Sequence, residues 1–222
     1  MLFRSNSLLD GNAGDGITVS TGTDTFADIV VTNSVLSDGG GNGISIFADG
    51  NDAIVGVDNR TRLFAQGNTI SGFALNGILG FASGDASLFT TINGNTITDN
   101  GAGVDGETLP FFNGIALFAT DDALLNGRIT NNLVTANFER GLRVSTNGNA
   151  ATALLLASNN FSGNDVGEDT SNDPIVDSNQ QDLLIANGAT STTCIAMTNN
   201  FFTLDAGFTN LGGPLDFRLE LD

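Results

Sequence analysis

The sequence predicts an all-β solenoid, a right-handed parallel β-helix of about seven coils with a repeat of roughly 27 residues and three loop insertions. Three observations predict it. The composition favours tight turns over helices, an Asn-centred motif recurs along the chain, and short segments of period-two hydrophobic alternation run between its copies.

The 222 residues include 29 Gly and only 3 Pro, with Asn, Asp and Thr abundant and no Lys, His, Trp or Tyr. That mixture suits many short strands joined by tight corners. Apolar residues make up 40%, enough for a packed core. The formal charge of −18, with seven Arg as the only cations, argues against a nucleic-acid partner. It suits divalent cations, basic partners or plain solubility. No apolar stretch reaches 18 residues, so no membrane span is expected. Cys194 is the one cysteine, which rules out an intrachain disulfide, and its alternating context reads as a small core position.

The motif is Asn, a small residue, an apolar residue, then Ser or Thr. It reads Asn33-Ser-Val-Leu-Ser, Asn68-Thr-Ile-Ser, Asn95-Thr-Ile-Thr and Asn132-Leu-Val-Thr, with looser copies at Asn6, Asn159 and Asn199. A second marker follows most anchors: Asp15-Gly-Ile, Asn42-Gly-Ile, Asn76-Gly-Ile, Asn113-Gly-Ile and Arg140-Gly-Leu, with Gln181-Asp-Leu as a degenerate copy. Irregular spacings between the two place insertions near 51–63, 101–112 and 164–180. The coils are expected over 6–203, after a non-native or disordered start at 1–5. A terminal coil or the start of a following segment is expected at 204–222, the whole being a piece of a longer chain that continues at the coil ends.

Runs such as Ile115-Ala-Leu-Phe, Gly127-Arg-Ile-Thr and Ala153-Leu-Leu-Leu put apolar side chains on one strand face. Units too small to bury that face alone must stack, and seven coils at ~4.8 Å make a rod roughly 34 Å long. The 16 Phe are expected to stack inside it. The anchors Asn33, Asn68, Asn95, Asn132, Asn159 and Asn199 have a structural reading: Asn tolerates left-handed turns, and its amide can bond the equivalent group one coil away. Leucine-rich repeats fit less well, since no unit carries a helix or the Leu-x-x-Leu-x-Leu frame. A Ca²⁺-binding nonapeptide roll fits poorly too, because Gly40-Gly-Asn-Gly-Ile-Ser puts Ser45 where Asp belongs.

With coils reading Asn-x-Ile-Thr-x-Asn followed by Asn-Gly-Ile, the chain resembles the right-handed parallel β-helix repeats of the broad pectate-lyase-like group, over roughly residues 6–203. The tail from Cys194 to Leu221 resembles the closing coil of long bacterial surface proteins. The resemblance implies a secreted or cell-surface protein. It leaves the function open among polysaccharide lyases, hydrolases, epimerases and adhesins. Without His or Lys, the Asp, Gly-His-Gly and Arg-x-Lys set of pectin hydrolases cannot be completed, nor the Tyr, His or Lys chemistry of uronan epimerases. What the resemblance still allows is a Ca²⁺-dependent uronan lyase, in which acidic groups hold Ca²⁺ on the sugar carboxylate and an Arg takes the proton.

Arg140 and Arg143 are the candidate bases, lying in the coil between two insertions that carry Asp105, Glu107, Asp165, Glu168, Asp169 and Asp173. The plainer reading makes Glu139–Arg140 a surface ion pair and the loops merely solvated. Asp85, Asp121 and Asp122 could form an acidic ladder for Ca²⁺, although Asp is also an ordinary turn residue. Arg60 and Arg62 read as exposed partners for acids in the first insertion. The favoured expectation is a non-catalytic extracellular scaffold or adhesin-like segment with a polysaccharide or cell-surface glycan as its partner and no required cofactor. The lyase is the alternative.

Overall fold

Three short strands per coil can hide their apolar faces only by turning them inward and stacking each coil on the last. The computed structural model describes residues 2–22, 25–50, 59–101, 112–164, 181–203, 205–210 and 215–220, with 2–4, 181, 205–210 and 215–220 as backbone. It is a parallel β-helix of three stacked sheets. Sheet A holds β1 (Leu2–Ser5), β4 (Phe26–Thr32), β7 (Arg60–Gln66), β10 (Ser87–Asn93), β13 (Leu124–Thr130), β16 (Ala151–Ala157), β19 (Thr192–Thr198) and β22 (Leu215–Glu220). Sheet B holds the short strands β2 (Leu8–Asp10), β5 (Val35–Ser37), β8 (Thr69–Ser71), β11 (Thr96–Thr98), β14 (Leu133–Thr135), β17 (Asn160–Ser162) and β20 (Phe201–Phe202). Sheet C holds β3 (Ile17–Thr21), β6 (Ile44–Asp49), β9 (Ile78–Ser83), β12 (Asn113–Ala119), β15 (Arg140–Thr146), β18 (Gln181–Asn187) and β21 (Asp205–Asn210). The chain runs A to B to C and back, and β1 pairs in register with β4.

Both corners around sheet B place a residue in the left-handed region, followed in most coils by a ladder residue. Before sheet B the first slot is Asn6, Asn33, Gly67, Gly94, Asn131, Ser158 or Asn199. After it the slot is Gly11, Asp38, Gly72, Asp99, Ala136 or Gly163. Gly, Asn and Asp enter that region at least cost, which explains the composition.

The first ladder matches the predicted anchors in its centre. Asn68 donates its backbone N–H and its Nδ2 to Asn95 Oδ1, both at 2.9 Å. Asn95 does the same to Asn132, Asn132 to Asn159, and Asn159 to Asn200. Each Nδ2 also donates backwards, to the carbonyls of Val31, Ala65, Ile92 and Ile129, so one amide ties three coils together. Asn33 and Asn199 are corrected. Each fills the left-handed slot one position early, and the ladder passes through Ser34 and Asn200. In Asn33-Ser34 and Asn199-Asn200 two polar residues compete for the corner, and only the second lies on the inward side.

The interior is aliphatic, built on Ile29, Leu36, Ile46, Ile70, Ile92, Ile97, Leu117, Leu142 and their neighbours. The expected interior Phe stacks are largely absent among the described residues. Phe73 and Phe161 are buried inside, and Phe161 stacks on Phe202 at 5.5 Å. Phe47, Phe81 and Phe118 instead face outwards from sheet C, in a cluster separate from the core. Cys194 is also corrected: Thr193, Ile195 and Met197 take the inward positions of β19, and the thiol is exposed. The first insertion is shorter than expected, because Arg60 and Arg62 belong to β7; of its expected span, 51–58 lies outside the described residues.

The marker glycines have a steric cause. A Cβ on Gly43, Gly77 or Gly114 would lie 2.4 to 2.5 Å from a methyl of Ile70, Ile97 or Val134, the sheet B residues packed against the start of sheet C.

Candidate functional site

The outward side of sheet C carries the chemistry that the sequence singled out. Strand register aligns Ser45, Leu79, Ala116, Arg143 and Leu184 in one row, and Phe47, Phe81, Phe118, Ser145 and Ala186 in the next. Ring centroids step along the second row at 6.5 and 6.4 Å. The Arg143 guanidinium then closes it, 5.5 Å from the Phe118 centroid, a cation–π contact. Burial first, then the positive charge of Arg140, lower the Arg143 pKa from its ordinary value; Glu139 pulls the other way.

Arg140 lies where a third amide ladder breaks. Asn42 donates through N–H and Nδ2 to Asp15, Asn76 to Asn42, and Asn113 to Asn76, in the sense opposite to the first ladder. The next residue in register is Arg140. Its guanidinium turns to Glu139, Nη1 to Oε2 2.9 Å. Asn113 Oδ1 is buried with no hydrogen-bond partner among the described residues. The Glu139–Arg140 pair is no surface contact, because the two side chains are only 20% and 5% exposed. A pair so removed from water owes its value to geometry, and losing one partner is costly.

The acidic candidates do not converge. Asp85 Oδ1 accepts from Asn59 Nδ2 at 3.1 Å. Asp121 occupies a left-handed turn position and accepts from Thr120 Oγ1. Asp122 accepts from Asn149 Nδ2. No three His, Cys, Asp or Glu side chains lie together among the described residues. Asp105, Glu107, Asp165, Glu168, Asp169 and Asp173 lie outside the described residues.

Sequence reasoning missed two ladders and the phenylalanine row, though each left a signal. Asn100, Asn137 and Asn164, each five residues after an anchor, form a second ladder that ends on Asp182. Phe47, Phe81 and Phe118 each follow a marker glycine by four residues.

Three parallel sheets held by amide ladders define the class, a parallel β-helix. The chain matches no protein-family model, and no curated protein matches it either.

Proposed function

We propose that the chain is a non-catalytic, extracellular β-helix segment of a larger bacterial surface protein, a stalk or adhesive scaffold whose outer sheet faces bind glycan. One observation carries this reading. The buried amides of the first ladder bond coil to coil through five successive turns, a use that confers stiffness and length but no chemistry. The pectate-lyase-like resemblance supports the surface location and the glycan partner.

A second reading rests on the lowered pKa of Arg143 beside the ladder break at Arg140. There the chain is a uronan lyase, with one of these arginines taking the proton α to the sugar carboxylate while the glycosidic oxygen departs. A panel of acidic and neutral polysaccharides separates the two, run with Ca²⁺ and with chelator. Absorbance of unsaturated product and retention on immobilised glycan are followed together. Retention without product is the expected result. Product that disappears in Arg140→Ala or Arg143→Ala would establish the lyase and end the scaffold reading.

A further inference from the structure

Three of the five arginines with described side chains stand on sheet A, on a different sheet from Arg140 and Arg143. Outward positions of β4, β7, β10 and β13 place Phe26, Asp28, Arg60, Arg62, Phe64, Phe89 and Arg128 on one surface. Arg60 lies 6.0 Å from the Phe26 centroid and 5.4 Å from that of Phe89, and Arg62 lies 5.0 Å from Phe26. Two adjoining clefts of about 320 and 290 Å³ share Phe89 and Thr91 and run across the strands. Arg62 and Phe64 line the first; Asn126 and Arg128 line the second. Among the described residues Asp28 is the only carboxylate lining either, 3.6 Å from Arg62.

We propose that this trough binds a linear oligosaccharide bearing anionic groups, carboxylate or sulfate, laid along the rod axis. The inference rests on the glycan-binding reading above and assigns it a surface. Ring faces offer apolar contact to sugar C–H groups, while the Thr91 hydroxyl and Asn126 amide offer hydrogen bonds to sugar hydroxyls. Guanidinium forks pair with carboxylate or sulfate. Arg62 and Arg128 lie two coils apart, about 10 Å along the axis, so they would read anionic groups on non-adjacent sugars. An extended peptide fits less well. The strand N–H and C=O groups already pair between coils and none faces the trough, so a peptide backbone would find no partners there. Nucleic acid needs several neutralised phosphates on one face, against a net charge of −18.

The test titrates the full chain with labelled oligogalacturonate, a sulfated dextran oligomer, a neutral cello-oligosaccharide and single-stranded DNA, at low and high salt. At least one acidic saccharide binds, more weakly at high salt, and the arm that binds tells carboxylate from sulfate. Arg62→Gln with Arg128→Gln weakens it about tenfold for each arginine removed, and Phe89→Ala weakens it as well. Leu133→Ser, on sheet B, binds like the parent. Acidic-glycan binding that survives the double substitution but fails in Arg143→Gln rejects the trough and leaves the glycan reading standing. Equal binding of the neutral saccharide or of DNA rejects the anionic-sugar assignment. No binding of any glycan removes the glycan reading itself.

Discussion

Asn95→Ala removes one rung from the middle of the first ladder. Asn95 Oδ1 accepts from Asn68 N–H and Nδ2 at 2.9 Å each, and its Nδ2 donates to Asn132 Oδ1 and Ala65 O at 3.0 Å each. The residue is 1% exposed, so water cannot replace these partners. At about 1 kcal/mol per net hydrogen bond, the four lost bonds cost about 4 kcal/mol, and orphaned partners add to that. For a chain of this size the melting temperature should fall by roughly 8 to 16 °C. Equilibrium unfolding in urea should show a lower midpoint at unchanged slope. Asn95→Ser should fall between the two, because Ser34 holds the equivalent corner in an earlier coil. Asn93→Ala, which disturbs only bonds on the outer face, should cost less than about 1 kcal/mol. An Asn95→Ala variant no less stable than Asn93→Ala would refute the ladder as the source of stiffness.

Other substitutions probe the remaining corners. Asp182 is fully buried; its Oδ1 takes Asn164 Nδ2 at 2.9 Å and its Oδ2 takes Thr203 N–H at 2.7 Å. Asp182→Asn sets an NH₂ against one of these donors and should lower stability by about 1 to 3 kcal/mol in urea unfolding. Gly114→Ala places a Cβ 2.4 Å from Val134 Cγ1 and should cost about 1 to 3 kcal/mol. Gly94→Ala meets no atom within 4 Å but sits at φ +64°, so only backbone strain of about 1 kcal/mol applies, and thermal melts should rank the two accordingly. Burial raises the Asp15 pKa, but hydrogen bonds from Asn42, Ser45 and Thr18 outweigh it, and the net shift is downward from 3.8. A depressed carboxylate stabilises the fold above its unfolded pKa and loses that contribution as pH falls through the folded value. The stability difference between the parent and Asp15→Asn should therefore hold at pH 5 and shrink below about pH 4, and a constant difference would reject the assignment.

The fold was legible because period-two alternation and the Asn spacing are local patterns that survive without coordinates. Asn68, Asn95, Asn132 and Asn159 could be found this way because each precedes a three-residue strand at a fixed offset. Asn33 and Asn199 were misplaced because a left-handed slot and a ladder slot both favour Asn, and only the direction of the side chain separates them. The degenerate marker at Gln181-Asp182 could not be understood from sequence. Asp182 stands where other coils have the marker glycine because the register shifts there, and its carboxylate terminates a ladder built on distant residues. The phenylalanine row and the arginine-bearing trough were hidden for a similar reason. Alternation divides a strand into two faces without saying which is inward, and aromatic residues on an outward face read like core.

Glu139 offers the sharpest separation of the two functional readings. Its carboxylate meets Arg140 at 2.9 Å in a setting where the arginine side chain is 5% exposed. Glu139→Gln removes the carboxylate charge 2.9 Å from that buried guanidinium, and losing this charge-assisted hydrogen bond should cost about 1.5 to 3 kcal/mol. The same change removes the Glu139 charge that raises the Arg143 pKa, so Arg143 is lowered further. In a scaffold these effects meet only in stability: the urea midpoint falls, and glycan retention per folded molecule stays the same. In a lyase, a more readily deprotonated Arg143 would shift the pH profile of elimination towards lower pH. A variant that loses stability and shows no product at any pH supports the scaffold. A displaced pH optimum with product would place the chemistry at Arg143 and end the scaffold reading.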